Sequence, residues 1–259
     1  MQKPKRAIVQ FEKVCYLDPF LKEAIVRIDF PEPCPALTER LSNKLTKTAL
    51  SKFPISEPHK FQTQELKFTG QEFSSNSREM TQWVFHGKDR EKALIINPDH
   101  VAHTNKSYKS YESFSNDFLS FVSALKEAQP DQVVNRIGIR YVNVIDLKEG
   151  NPLEWSEYIN ERMLGIIDLG YKENISRAFH ILELNFDSMN LKCQFGIANP
   201  DYPATVKRRQ FVLDLDASAV GAFDLDEIEK VIKSGHEKIQ DFFENSITDK
   251  TRKLMKPAK

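Results

Sequence analysis

Glycine is scarce in this sequence, nine residues in 259. A loop that cradles phosphate needs glycines in a fixed pattern, and neither a Walker loop nor a G-x-G-x-x-G turn is present. The G-x-S-x-G nucleophile elbow and the H-E-x-x-H zinc motif are missing as well. The three cysteines, Cys15, Cys34 and Cys193, form no C-x-x-C and are too few and too scattered for a disulfide framework, which suits a reducing compartment. Neither sign of charge is in excess: 37 Lys and Arg balance 37 Asp and Glu. That balance argues against a basic nucleic-acid coat and against an acidic tail. No run approaches the roughly 18 apolar residues of a membrane-spanning helix, and the opening MQKPKRAIVQ lacks the apolar core of a signal peptide. The expectation is a cytoplasmic protein with no membrane partner.

What is present is a chain 40% hydrophobic, enough for a core, patterned with two periods. Leu21 to Phe30 alternates, so that Ala24, Val26, Ile28 and Phe30 share one face of a strand that Pro31 ends. Between Pro35 and Pro54, Leu37, Leu41, Leu45, Thr48 and Ala49 recur at helical spacing and predict one helix. Short strands are expected at Phe61 to Thr69, Met80 to Gly87, Ala93 to Asn97 and His100 to Thr104, an antiparallel meander. Tyr111, Phe114, Phe118, Phe121, Val122 and Leu125 make the aromatic stripe of a second helix. Val133 to Asp146 is β-branched and extended. A short helix over Leu153 to Leu164 should then lead to strands at Ile175 to Phe186, Met189 to Ala198 and Gln210 to Asp216. Asp224 N-caps a last long helix, with Glu227 completing a capping box. The expected fold is α+β, mostly antiparallel sheet with long amphipathic helices on one face. Its two α+β halves, residues 1–150 and 151–259, share one core, and their similar plan is open to an origin by duplication.

The strand through Asn135 to Asp146 carries the most suggestive chemistry. Arg136, Gly138 and Arg140 fall on one face, and Ile137, Ile139 and Tyr141 on the other. Two guanidiniums about 7 Å apart across a glycine could clamp a phosphate or carboxylate. They could equally pair across the sheet with Asp214 and Asp216, which stand two apart in FVLDLD. Those aspartates could instead hold a divalent cation, although no third ligand can be named. His100 and His103 form an H-x-x-H, but on an extended segment they point to opposite faces. His236 lies beside the apolar stripe of the last helix, where a partly buried histidine bonded to a backbone carbonyl is expected. Lys207-Arg208-Arg209 and the tail Lys250, Arg252, Lys253, Lys256 and Lys259 are local positive patches, which for the tail also suit a helix C-terminus. No residue is assigned to catalysis, to a metal or to a cofactor.

Four segments taken together, LKEAIVRIDF, NRIGIRYVNVIDL, FVLDLD and GHEKIQDFFENSIT, resemble a sporadically distributed family of conserved hypothetical proteins of about this length from bacteria and archaea. The run Arg136 to Tyr141 carries most of the likeness, followed by Leu213-Asp214 and the helix with His236, Phe242 and Phe243. The family has no established activity to carry over. Its patchy distribution implies accessory loci such as toxin–antitoxin or phage-defence cassettes, where a chain without an active site is often the partner of an enzyme encoded beside it. The leading expectation is therefore a non-catalytic binding or regulatory protein acting on a protein partner, with self-association left open and nucleic acid not signalled. A small anion or nucleotide sensor, with Arg136, Arg140 and Tyr141 as ligand-binding residues, is the alternative. A metal-dependent hydrolase or nuclease built on Asp214 and Asp216 comes third.

Overall fold

A computed structural model describes residues 15–38, 40–69 and 72–258. The opening decapeptide and Lys259 of the basic tail lie outside the described residues. The strands are β1 (Leu21–Asp29), β2 (Ile55–Thr69), β3 (Glu72–His86), β4 (Lys92–Ile96), β5 (His100–Asn105), β6 (Val134–Asp146), β7 (Ala178–Phe186), β8 (Met189–Ile197) and β9 (Gln210–Phe223). The helices are α1 (Asn43–Lys52), α2 (Tyr111–Ala128), α3 (Ile228–Ser246) and α4 (Asp249–Met255). The fold is mixed α+β with one large antiparallel sheet, in the order β2-β3-β4-β5-β1-β6-β9-β8-β7. Alternation decides what each strand buries. Ala24, Val26 and Ile28 of β1, Ile137, Ile139, Tyr141 and Ile145 of β6, and Phe211, Leu213 and Leu215 of β9 are all buried, while most of the residues between them are half-exposed.

The chain falls into two compact units, each drawn from separate stretches of sequence. One gathers Glu23–Ile139 and Ser218–Ile232. Its core joins the buried side of α1 (Leu45, Ala49) to the aromatic stripe of α2 (Phe114, Phe118, Phe121, Leu125). The expected helix after Pro35 is broken. Pro35–Leu37 is a 3-10 turn, and α1 starts afresh at Asn43, where the Ser42 hydroxyl accepts the Leu45 N–H at 3.3 Å. Leu37, Leu41, Leu45 and Ala49 are nonetheless all buried, so the apolar spacing reported burial correctly and continuity wrongly. The strands β2 and β3 are longer than their sequence suggested, pairing from Ile55↔His86 to Thr69↔Glu72.

The other unit holds Met1–Lys22, Arg140–Ala217 and Lys233–Lys259. Trp155, Ile159, Phe211, Leu213, Ile247 and Met255 form the centre of its core. The short helix expected over Leu153 to Leu164 is absent; the segment is turns and a 3-10 piece, Glu161–Met163. Two of its backbone groups bond to the α3–α4 connection: the Asn160 N–H reaches the Ser246 carbonyl at 2.9 Å, and the Tyr158 carbonyl takes the Thr248 N–H at 3.0 Å. The Trp155 indole donates to the Pro152 carbonyl, 2.8 Å away. Short local turns, such as the Ile159 N–H to the Trp155 carbonyl at 2.9 Å, together with these tertiary bonds take the place of a continuous helix. The hairpin β7–β8 turns at Asp187 and Ser188, with Asp187 in the left-handed region at φ 54°.

Gly196 is the backbone position in this hairpin that admits no other residue. Its φ is 138°, and a β-carbon there would lie 2.1 Å from the Ala178 carbonyl oxygen. Gly196→Ala should therefore cost about 3 kcal/mol or more in urea unfolding. A loss below about 1 kcal/mol would contradict this backbone geometry.

Candidate functional site

Arg136, Gly138 and Arg140 share the half-exposed side of β6, and the arrangement of the two guanidiniums decides what that side can do. Arg140 extends toward β9, where Nε and Nη2 lie 2.7 and 2.5 Å from the two carboxylate oxygens of Asp214. This is a two-pronged fork, the geometry in which guanidinium and carboxylate match best. The Asp214 side chain is only 12% exposed, so the carboxylate is held in a poorly hydrated place and keeps the arginine with it. Asp216, half-buried, is the next residue on that side of β9.

Arg136 does something different. Its guanidinium folds back along its own strand over Gly138, where a β-carbon would lie 3.0 Å from Nη2 and 3.1 Å from Nη1. A β-carbon here would crowd that head group, which would have to give by a few tenths of an ångström. From that position Nη1 of Arg136 is 3.4 Å from Oδ2 of Asp29 on β1. Asp29 also accepts from Arg27, whose Nε is 2.7 Å from Oδ1. One aspartate thus serves two arginines. The partner of Arg136 lies in R-I-D, residues 27–29, an i, i+2 pair on one face of β1 that had no assigned role in the sequence.

Tyr141 does not join this group. The pleat turns it to the opposite, buried side, where its hydroxyl is 3.0 Å from Nδ1 of His236 and the two rings meet edge to face at 5.7 Å. At Nδ1, His236 therefore meets a tyrosine hydroxyl. Arg136, Arg140 and Tyr141 do not converge on one volume.

The histidines separate in the same manner. His100 meets Asp99 at 2.8 Å and Asn97 at 2.9 Å. His103 is fully buried, with its ring 5.1 Å from that of Phe53 and 4.9 Å from that of Phe114, and its Nδ1 2.9 Å from the Ala93 carbonyl oxygen. Burial pulls its pKa down to about 4 from the ordinary 6.5; the Ala93 bond and Asp117 oppose this shift, and Lys92 adds to it. Asp117, 7% exposed, is held by Lys92 at 2.5 Å. Cys193 is buried, which pushes its thiol up to about 12, and burial also raises Cys34. Neither is poised as a nucleophile. Among the described residues no three His, Cys, Asp or Glu side chains gather into a group that could hold a metal.

Five of the seven described residues of the basic patches are engaged too. Arg208 reaches Asp201 at 3.2 Å. Arg209 lies over the rings of Trp155 and Tyr158 and donates to the carbonyls of Glu149 and Glu154. A cavity of about 550 Å³ beside it is lined by Leu147, Lys148, Glu149, Gly150, Tyr158 and Arg209. In the tail, Lys250 pairs with Glu157, Lys256 with Asp18, and Arg252 with Glu244 at 2.8 Å. Glu244, 1% exposed, also accepts the Tyr16 hydroxyl at 2.7 Å. Burial, then the nearby Glu244 carboxylate, raises Tyr16 well above the usual phenol range. No spacing in the sequence marks this triad around a buried carboxylate, because its members come from residues 16, 244 and 252.

No protein-family model and no curated protein matches the sequence. What can be said of function therefore comes from the side chains themselves. A second concavity, about 530 Å³, opens between β7, Phe195 of β8 and the C-terminal turns of α3, with Met163, Ile166, Leu182, Leu184 and Phe242 among its lining. It is mostly apolar, with Arg162, His180 and Asp241 as the titratable members of its lining.

His103 yields a pH dependence of defined sign. The folded chain excludes the protonated imidazole, whereas the unfolded chain accepts the proton below pH 6.5, so stability is complete above that pH and is lost as pH falls toward 4. The loss reaches about 3 kcal/mol. Urea unfolding from pH 7 to 4 should show it in the wild type and show that much less in His103→Phe; parallel profiles for the two would contradict the assignment.

Proposed function

We propose that this protein acts by contact with a protein partner, as a non-catalytic binding or regulatory component. One observation carries the reading: the two arginines that could have gripped an anion are already engaged, Arg140 in a fork with Asp214 and Arg136 over Gly138 toward Asp29. A ligand would have to displace a half-buried carboxylate from its cation, which leaves one charge without its partner. The same engagement uses Asp214 as a counter-charge, and so weakens the metal-dependent hydrolase or nuclease.

Surface composition supports the contact reading. Large apolar side chains are exposed at Ile166, Leu169 and Tyr171 in one segment and at Ile181, Leu182 and Phe186 in β7. Apolar groups concentrated in this way favour protein contact over free hydration. The resemblance noted from the sequence extends the proposal to an accessory locus such as a toxin–antitoxin or phage-defence cassette, in which the partner is encoded nearby.

Purification of the tagged chain from its own cells, expressed from its own locus, tests the proposal. A second protein should be recovered in near-equal amount and identified by mass spectrometry as a product of a neighbouring gene. Repeated recovery of the chain without any partner would contradict the proposal.

A further inference from the structure

The sheet has two edges, and they are built differently. The sequence of β2, at one end, includes Pro58, Lys60 and Lys67, residue types that discourage strand addition. At the other end β7 reads AFHILELNF, with no lysine, no proline and one formal charge, Glu183. Its side chains are unusually open: Ile181 is 61% exposed, Leu182 and Phe186 41%, and Phe179 39%. An edge this apolar and this sparsely charged is one that proteins normally protect.

We propose that β7 is a self-pairing edge, and that two copies of this chain join β7 to β7, antiparallel, about a two-fold axis through Leu182. Three features of the strand specify that occupant. The first is hydrogen-bond parity. A two-residue turn is closed by a hydrogen-bonded pair, here Phe186 and Met189, so the even residues of β7 bond to β8. The amides and carbonyls of Phe179, Ile181, Glu183 and Asn185 then face outward. Full overlap of two β7 strands sets Phe179 against the second copy's Asn185 and Ile181 against its Glu183. Odd residues meet odd residues, as the ladder requires.

The second feature is charge. Continued one step beyond each end of the strand, the same register sets Arg177 of each copy against Asp187 of the other. Both residues are exposed; Arg177 lies over the Tyr202 ring at 4.3 Å, and Asp187 is the first turn residue. No like charges oppose each other, and Glu183 is matched within its own copy by Lys192, its cross-strand neighbour on β8. The third feature is size, because Ala178, the smallest side chain of the strand, falls opposite Phe186, one of the largest. Such a self-complementary patch is what an isologous two-fold contact needs. Lys238, whose Nζ stands 4.8 Å from the centre of the Phe186 ring, would rim the contact.

The proposal rests on the contact reading above and names a second copy as one partner, and the two fail separately. Light scattering on the full chain at micromolar concentration should give a mass of twice 29.9 kDa. Glu183→Pro removes one outward amide and leaves the bonds to β8 in place, so the variant should keep its circular dichroism and thermal midpoint while its dissociation constant rises about tenfold or more. Should that variant fail to fold, Leu182→Cys in a Cys15→Ser background supplies the readout. The two-fold axis brings the introduced thiol of each copy against its counterpart, and mild oxidation should yield a covalent dimer. A monomeric wild type, a dimer unaffected by Glu183→Pro, or no cross-link through the introduced thiol would each overturn self-pairing. A monomer that still co-purifies with another protein would overturn self-pairing and leave the contact reading standing.

Discussion

The structure depends on how the positive charges of β6 are neutralised. A strand near the middle of a nine-stranded sheet carries two arginines on one side, and each has a carboxylate on an adjoining strand, Asp214 on β9 for Arg140 and Asp29 on β1 for Arg136. An unpaired guanidinium at such a position would lose hydration without compensation. The bidentate fork supplies direction as well as charge, because it fixes which residue of β9 stands beside which residue of β6. Gly138 leaves room for the Arg136 head group to lie over the strand.

The same economy runs through the other polar groups. Glu244, Tyr16 and Arg252 tie the first described residues to the last two helices. Lys92 and Asp117 join β4 to α2, close to the buried His103. Arg209 serves two carbonyls and two aromatic faces. Titratable groups at active sites converge on a shared volume from several elements. Among the described residues, these pairs and this triad each serve their own junction. Exposed large apolar side chains gather in the 166–171 segment and on the edge strand β7.

Much of the fold could be read from period and punctuation. β1, β4, β5, α2, β6, the β7–β8 hairpin and the capping box before α3 lie within a few residues of where alternation, helical spacing and turn residues put them. The failures have physical causes. After Pro35, burial at Leu37, Leu41 and Leu45 mimics a helical stripe although the backbone is not one helix. Around Trp155 the chain looks helical, yet it forms short turns, and the Asn160 N–H and the Tyr158 carbonyl bond to the α3–α4 connection, which lies about ninety residues away in sequence. At the site, the two-residue spacings in R-I-G-I-R and in FVLDLD showed which side chains share a face. Which carboxylate meets which arginine depends on strand order, and strand order is a long-range property that no local pattern encodes. Asp29 and Glu244 escaped notice for that reason.

A double-mutant cycle across Arg140 and Asp214 tests the central claim most directly. Arg140→Ala, Asp214→Ala and the double variant, compared by urea unfolding at neutral pH, give the coupling between the two side chains free of their other contacts. The account predicts a coupling of about 1 kcal/mol or more, because the fork is bidentate and its carboxylate is half-buried. Additive effects, with coupling below about 0.3 kcal/mol, would contradict it. The arginine would then owe its place to something other than the sheet.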